Sequence, residues 1–246
     1  MLDNPKVDAI FGLHVMPMAP GTLWYRSGGL MASSDRLKII VHGRQTHGAA
    51  PWGGVDPVAV SAEIISGLQT IVSRQIDITQ APAVVTIGRI NGGVRYNIIP
   101  DEVTLEGTIR ALDPAVQKDL IARVERTAKL IAQSAGAEAA VMVENTAPVT
   151  YNDPKLTAAM APTLRRVAGA DKTFEVQPTT LAEDFSKFQQ KVPGVYFYLG
   201  VNKPDADPAT VARNHSPLFF VNEDALPTGV RAMANMATDF LQQNGR

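Results

Sequence analysis

The chain has 246 residues, with 23 Lys and Arg against 24 Asp and Glu, and therefore a formal net charge of −1. A chain this close to neutral offers no electrostatic basis for binding nucleic acid or an anionic membrane surface. It contains no cysteine, which excludes disulfides and thiolate metal ligands, so that any metal must be bound by His, Asp or Glu.

Hydrophobic residues make up 45% and charged residues 19% of the chain, a composition typical of a globular protein rather than a disordered or fibrous one. No apolar run approaches the ~20 residues of a membrane span. Residues 1–5 lack the basic and apolar regions of a signal peptide. We therefore expect a cytoplasmic location.

The first apolar run, residues 7–15, predicts a buried strand that ends at the prolines of residues 16–21. His14 lies at the carboxyl end of this strand. It is either a core histidine bonded to a backbone carbonyl, or a metal ligand or catalytic base at the end of a sheet where open α/β folds place their sites. Spacing alone leaves both alternatives open.

Residues 35–144 form a self-contained pattern of β-α-β-β-α-β order, the split-βαβ or ferredoxin-like arrangement. Apolar residues at helical spacing on both helices predict that the helices cover one face of a four-stranded sheet. The other face and an edge of the sheet are then free for a dimer contact. The predicted elements are a strand at 36–42, a helix at 56–73, strands at 83–90 and 102–110, a helix at 114–133 and a strand at 138–144.

Three polar residues occupy turns or strand ends of this module. His47 lies in a glycine-flanked loop before a helix, Asn97 lies in a proline-limited turn, and Arg110 ends a strand. Taken singly, each is readily interpreted as an ordinary turn or surface residue. A His, an Asn and an Arg acting together could hold a substrate carboxylate and polarise a carbonyl group.

The chain after the module predicts a helix at 154–167, a strand near 174–176, a strand at 194–200, and a last helix that Asn222 caps and that runs to about 242. His215 lies in a long polar loop, where we expect its side chain to be accessible, as for His47. Glu183 and Asp184 are either a ligand or base pair, or caps at the start of a helix.

Together these residues resemble the zinc-type amidohydrolases that include hippurate hydrolase, N-acyl-amino-acid amidohydrolases and auxin-conjugate hydrolases. Each matching segment is a weak signal, but their order, with the module between them, is specific. The matching segments are residues 11–15, 43–51, 54–57, 97–100, 107–110, 182–185 and 214–217.

The resemblance implies an α/β fold. Residues 1–34 and 147–246 would form part of a dinuclear-metal, exopeptidase-like catalytic domain. Residues 35–146 would interrupt that domain as a ferredoxin-like α+β lid and dimerisation domain. The resemblance also implies two divalent metal ions (zinc, manganese or cobalt), with His14 and His215 among their ligands. By the same resemblance His47 stabilises the developing oxyanion, usually in the partner subunit's site.

The lid residues Asn97 and Arg110 would hold the substrate's carbonyl and carboxylate. The implied reaction is hydrolysis of the amide bond of an N-acyl amino acid or a small peptide-like substrate. The implied partner is a second copy of the chain, bound through the lid, with no nucleic acid or membrane partner.

The sequence departs from this family in one respect. The family places a metal-binding motif and a Glu-Glu pair before the position of His14, whereas this chain has neither motif and no adjacent glutamates. We expect the chain to be the C-terminal portion of a longer amidohydrolase and to hydrolyse nothing alone. The alternatives are a non-catalytic dimerisation or ligand-binding protein, and one half of a split enzyme whose missing ligands a second chain supplies.

Overall fold

The computed structural model describes residues 2, 4–207 and 210–245. They divide into two compact units, which we call the split unit and the inserted unit. The split unit comprises Met1–Met31, Thr150–Thr179 and Glu183–Arg246, and the inserted unit comprises Ala32–Val149 and Thr180–Ala182. Within the described ranges, no helix is both long enough and apolar enough to cross a membrane.

The strands in chain order are β1 (Ile10–Met16), β2 (Leu23–Tyr25), β3 (Gly28–Met31), β4 (Ser34–His42), β5 (Thr46–His47), β6 (Ala83–Gly92), β7 (Ile98–Ile99), β8 (Glu102–Ala111), β9 (Glu138–Ala147), β10 (Thr150–Asn152), β11 (Thr173–Glu175) and β12 (Gly194–Gly200). The α-helices are α1 (Pro57–Gln75), α2 (Pro114–Ser134), α3 (Pro154–Ala168), α4 (Ser186–Gln189) and α5 (Leu226–Gln243). Short 3-10 turns lie at Pro51–Gly53, Ala170–Lys172 and Glu223–Ala225.

The inserted unit has the predicted β-α-β-β-α-β order. Its sheet is antiparallel throughout, with strand order β6-β8-β4-β9. Alternate residues of β4, namely Leu37, Ile39 and Val41, are fully buried in one core with apolar residues of α1 and α2. Each helix starts where an aspartate caps it, since Asp56 and Asp113 accept hydrogen bonds from the first free backbone amides of α1 and α2.

A buried carboxylate ties the inserted unit together at the start of β4. Asp35 is fully buried, and its side-chain partners in the described part of the chain are neutral donors. Its Oδ2 accepts from Ser33 Oγ at 2.8 Å, both carboxylate oxygens lie 2.8 Å from Gln117 Nε2, and Oδ1 accepts from Asn145 Nδ2 at 2.6 Å. The carboxylate therefore joins β4 to α2 and β9.

The split unit is built on a four-stranded sheet of order β1-β12-β2-β11, in which β1 and β12 run parallel. One face packs on α3 and α5, through residues such as Val195, Phe197 and Leu199 of β12. The alternate residues, Tyr196 and Tyr198, point to the opposite face.

The prediction that the first apolar run is buried was wrong. Every residue of β1 is half-buried, because β1 lies at the end of its sheet and has one strand neighbour, β12, among the described residues. Two small sheets were also missed. β3 pairs with β10, where no strand was predicted, and β5 pairs with β7, where the sequence predicted a loop at His47 and a turn at Asn97.

Candidate functional site

His14 lies on β1, paired in register with Tyr198 of β12. Its Nδ1 is 2.7 Å from the carbonyl oxygen of Val15. A carbonyl oxygen can only accept, so Nδ1 carries a proton, and in the neutral ring Nε2 keeps its lone pair free. A neutral imidazole held in this way is the form in which histidine binds a metal.

His215 lies in the loop before α5 and is exposed. Its φ of 68° is the one positive value among the described residues other than glycine, a left-handed conformation that costs energy and often marks a functional position. The preceding residue, Asn214, donates from Nδ2 to the Val15 carbonyl oxygen at 2.8 Å. The structure therefore ties the loop of His215 to the same carbonyl that orients His14.

These two histidines do not by themselves make a dinuclear metal site. In the described parts of the chain, no group of three or more His, Cys, Asp or Glu side chains is placed to hold a metal ion. A pair of metal ions needs more donors than two imidazoles. The two candidate ligands, His14 and His215, fit part of such a centre and not the whole.

His47 lies on β5 in the inserted unit and is exposed. The backbone amide of Ala49 donates to its Nδ1 at 3.0 Å. Because that nitrogen accepts, the proton of the neutral ring is on Nε2. His47 therefore presents a hydrogen-bond donor, the opposite arrangement to His14.

Asn97 lies beside His47, one of the two residues with which we grouped it from the sequence. His47 pairs with Ile98 across β5 and β7, and the Gly48 amide donates to the Asn97 carbonyl oxygen at 2.8 Å. The side-chain oxygen Oδ1 of Asn97 is buried and has no hydrogen-bond partner among the described residues. An unpaired buried acceptor costs about 1–3 kcal/mol, which an incoming donor would relieve.

The structure does not bring Arg110 to the same place. His42 pairs with Glu102 at one end of β8, and the loop of His47 continues beyond that end. Arg110 lies eight residues further along β8, a span of about 26 Å at ~3.3 Å per residue. There its Nη1 donates to the Ser33 carbonyl oxygen at 3.3 Å. One inserted unit thus presents His47 with Asn97 at one end and Arg110 at the other.

Sequence reasoning missed the tyrosine pair of β12. Tyr196 Oη donates to Glu183 Oε2 at 2.9 Å, so Glu183 is held by β12 and does not cap α4, which has no side-chain cap. Burial, and then the bond to Glu183, raise the pKa of Tyr196 above its ordinary range. Burial also raises the pKa of Tyr198. The alternation of tyrosine with wholly apolar residues (Val195, Phe197, Leu199) along β12 was the available signal.

Comparison with known proteins gives the family. The chain is 38% identical over 236 residues to thermostable carboxypeptidase 2 of Saccharolobus solfataricus, covering 95% of this chain and 58% of that one. It is 34% identical to the N-acetylcysteine deacetylase of Bacillus subtilis, covering 96% and 60%. The crystal structure of a dinuclear metal binding peptidase from Bacillus subtilis superposes with a TM-score of 0.76 at 30% identity, covering 96% and 58%.

The chain thus spans less than two thirds of the length of these relatives. The family resemblance in its sequence is confirmed by a family model that matches residues 1–239. The chain belongs to the peptidase family M20/M25/M40.

Proposed function

We propose that this chain contributes to metal-dependent hydrolysis of the amide bond of N-acyl amino acids or small peptide-like substrates. The observation that carries the proposal is that two histidine rings are held in opposite tautomers. His14 keeps a free lone pair on Nε2, as a metal ligand requires, and His47 keeps a proton on Nε2, as an oxyanion donor requires. The N-acetylcysteine deacetylase named above supports an acyl amino acid as substrate.

In the split unit, a partial catalytic domain, we assign His14 and His215 as ligands of two divalent ions, zinc, manganese or cobalt. The ions, when bound, would supply the activated water and polarise the carbonyl. The described residues do not complete this centre, so further donors from another segment or chain would be needed. We therefore expect the chain alone to be inactive.

The inserted unit would serve as a ferredoxin-like lid. His47 Nε2–H donates to the carbonyl oxygen as charge develops on it, and removing one such donor costs roughly 10²–10³-fold in rate. Asn97 contacts the amide, and Arg110 binds the substrate carboxylate through paired N–H groups. Because His47 lies on β5 beyond the Glu102 end of β8, and Arg110 lies near the other end of β8, one lid cannot apply both to a small substrate. This separation supports a homodimer in which each substrate receives them from different copies.

Metal binding and turnover test the proposal directly. Metal content would be measured on the purified chain, and hydrolysis of a panel of N-acyl amino acids would be followed with added zinc, manganese or cobalt. His14→Ala and His215→Ala should each weaken Co²⁺ binding at least about tenfold. His42→Ala is the matched control, because His42 lies on β4 beside Glu102 and should leave Co²⁺ binding unchanged.

Turnover lost in His14→Ala, His215→Ala and His47→Ala but kept in His42→Ala would establish the activity and overturn our expectation that the donor set is incomplete. Equal Co²⁺ binding by the wild type and both ligand variants would contradict the metal assignment.

A second candidate is a non-catalytic dimerisation or ligand-binding protein derived from the family. The lack of a three-donor metal group among the described residues favours it. Substrate binding with neither metal uptake nor turnover, even after metal is added, would select this alternative.

A further inference from the structure

Ser33 pairs with Ala111 in an irregular way at the start of β4 in the inserted unit. In a regular antiparallel sheet, the two residues of a hydrogen-bonded pair exchange both of their backbone N–H···O bonds. The Ser33 amide does donate to the Ala111 carbonyl oxygen, at 2.8 Å. The return bond is different, because the Ala111 amide donates to the side-chain oxygen Oγ of Ser33 at 3.2 Å. The hydroxyl thus takes the place of the Ser33 backbone carbonyl.

The carbonyl oxygen that this exchange releases is the one that holds Arg110. Arg110 is half-buried, its Nη1 donates to the Ser33 carbonyl oxygen at 3.3 Å, and it has no carboxylate partner among the described residues. This single bond leaves free the Nε–H and Nη2–H groups, which lie along one edge of the guanidinium. An edge of this kind binds a carboxylate through two parallel hydrogen bonds.

Asp35 fixes the Ser33 hydroxyl in the orientation that this arrangement needs. A serine hydroxyl rotates, so it accepts steadily from one amide only where its own proton is held elsewhere. Ser33 Oγ donates that proton to Asp35 Oδ2 at 2.8 Å. Both residues are fully buried, so bulk water does not compete for the hydroxyl. The lone pairs of Oγ are therefore kept for the Ala111 amide.

We propose that Ser33 is a positioning residue for Arg110. Its hydroxyl keeps the Ala111 amide away from the Ser33 carbonyl, the carbonyl stays available to Arg110, and the guanidinium edge is presented in one orientation. A guanidinium that is already fixed loses less conformational freedom when it binds an anion, which raises the affinity. The anion is a carboxylate, and this part of the assignment rests on the proposed function, in which Arg110 binds the substrate carboxylate.

Ser33→Ala separates positioning from folding. Without the hydroxyl, the Ala111 amide can bond to the backbone carbonyl of residue 33 and complete a regular pair. The sheet then keeps its hydrogen bond, while Arg110 loses its acceptor. Asp35 keeps the bonds that it accepts from two amide side chains.

Two further variants bracket this change. Ser33→Thr retains the hydroxyl and should retain the position of Arg110. Thr146→Ala is the matched control, because it removes a hydroxyl bond of 2.8 Å to the carbonyl of the adjacent residue, Ser34, and leaves the contacts of Ser33 in place. Backbone amide spectra and urea denaturation show that each variant retains its fold.

Relaxation of the arginine side-chain ¹⁵Nε–H groups, measured by NMR on the metal-free chain, reports the position of Arg110 without a ligand. Arg110→Ala identifies the Arg110 signal by its disappearance. We expect an order parameter above about 0.6 in the wild type, Ser33→Thr and Thr146→Ala, and a value below about 0.6, typical of a flexible group, in Ser33→Ala.

Carboxylate binding connects this position to the proposed function. N-Acetylglycine and its neutral counterpart N-acetylglycinamide differ in the carboxylate group, and both would be titrated by NMR without metal. We expect the wild type to prefer N-acetylglycine and Arg110→Ala to lose that preference. Ser33→Ala should weaken the binding of N-acetylglycine about threefold to tenfold and leave the binding of the amide unchanged.

A mobile Arg110 in the wild type, an equally rigid Arg110 in Ser33→Ala, or the same loosening in Thr146→Ala would overturn the positioning role. The relaxation measurement needs neither ligand nor turnover, so its failure is distinguishable from failure of the proposed function. If Ser33→Ala frees Arg110 but the wild type does not prefer N-acetylglycine, Ser33 stands as a positioning residue and the carboxylate role of Arg110 is refuted.

Discussion

Replacing Asp35 by Asn tests whether a buried carboxylate holds the inserted unit together. The two side chains have nearly the same shape, so the substitution opens no cavity. Each carboxylate oxygen accepts two hydrogen bonds, and Gln117 Nε2 is a donor to both oxygens. Turning either oxygen into an amide NH₂ group removes one acceptor atom, and with it two accepted hydrogen bonds, and places donors against donors.

Hydrogen bonds to a charged acceptor contribute about 1.5–3 kcal/mol each, and donors left unpaired in a buried site add to the loss. Since the two contacts on each oxygen are not independent, we expect Asp35→Asn to destabilise the inserted unit by about 3 kcal/mol. That free energy corresponds to roughly a hundredfold faster hydrogen exchange of amides that open with the unit.

Native-state hydrogen exchange with mass spectrometry would follow peptides from β4 and, separately, from β12. The matched control is Asp119→Asn, because Asp119 is an exposed partner of Arg123 on α2 and exposed pairs contribute ~0.2–1 kcal/mol. Exchange of β4 within threefold of the wild type in Asp35→Asn would refute the reasoning. So would faster exchange in β12 with β4 unchanged.

Two further outcomes follow from close packing and from burial. Gly107→Ala should lower the stability of the inserted unit by about 2–4 kcal/mol, because the added Cβ would lie 1.9 Å from a main-chain oxygen of β6. Gly88→Ala, with nothing within 4 Å of the added Cβ, should change the stability by less than about 0.5 kcal/mol. Equal effects of the two substitutions in urea denaturation would contradict this account. Tyr196 and Tyr198 have raised pKa values in the fold, so their contribution to stability is complete below the unfolded pKa of 10.0 and is lost as pH rises towards the folded pKa. Ultraviolet titration should therefore show Tyr196 and Tyr198 ionising only as the chain unfolds, and Tyr196→Phe should remove one of these late ionisations. Ionisation of both residues in the folded chain in the ordinary range of tyrosine would show that the pair is not protected.

The elements of the inserted unit were predictable because each has a strong local signal. The helix spacing of apolar residues and the capping aspartates place α1 and α2 within about two residues of their observed ends. β5, β7, β3 and β10 have two to four residues each, too few to show a period. These strands form because each pairs with a strand that is distant in sequence, and a local pattern does not predict that partner.

For the candidate site, too, some features were predictable from the sequence and others were not. His14, His47 and His215 could be proposed from sequence because motif and position single them out. The bond from Tyr196 to Glu183, and the distance from His47 to Arg110, depend on strand register and on which end of β8 a residue occupies. Register is a property of paired strands, so it became visible only in the fold.

The position of β1 has a consequence for synthesis of the protein on the ribosome. β1 ends at Met16, whereas its pairing partner β12 begins at Gly194, roughly 180 residues later in the sequence. At ~5–20 residues per second this is a delay of about 10–40 s. During that interval the apolar strand Ile10–Met16 has no β12 to pair with, whereas the inserted unit, whose strands are contiguous in sequence, can fold. Nascent chains stalled before Gly194 should therefore recruit chaperones that bind extended apolar segments, through β1.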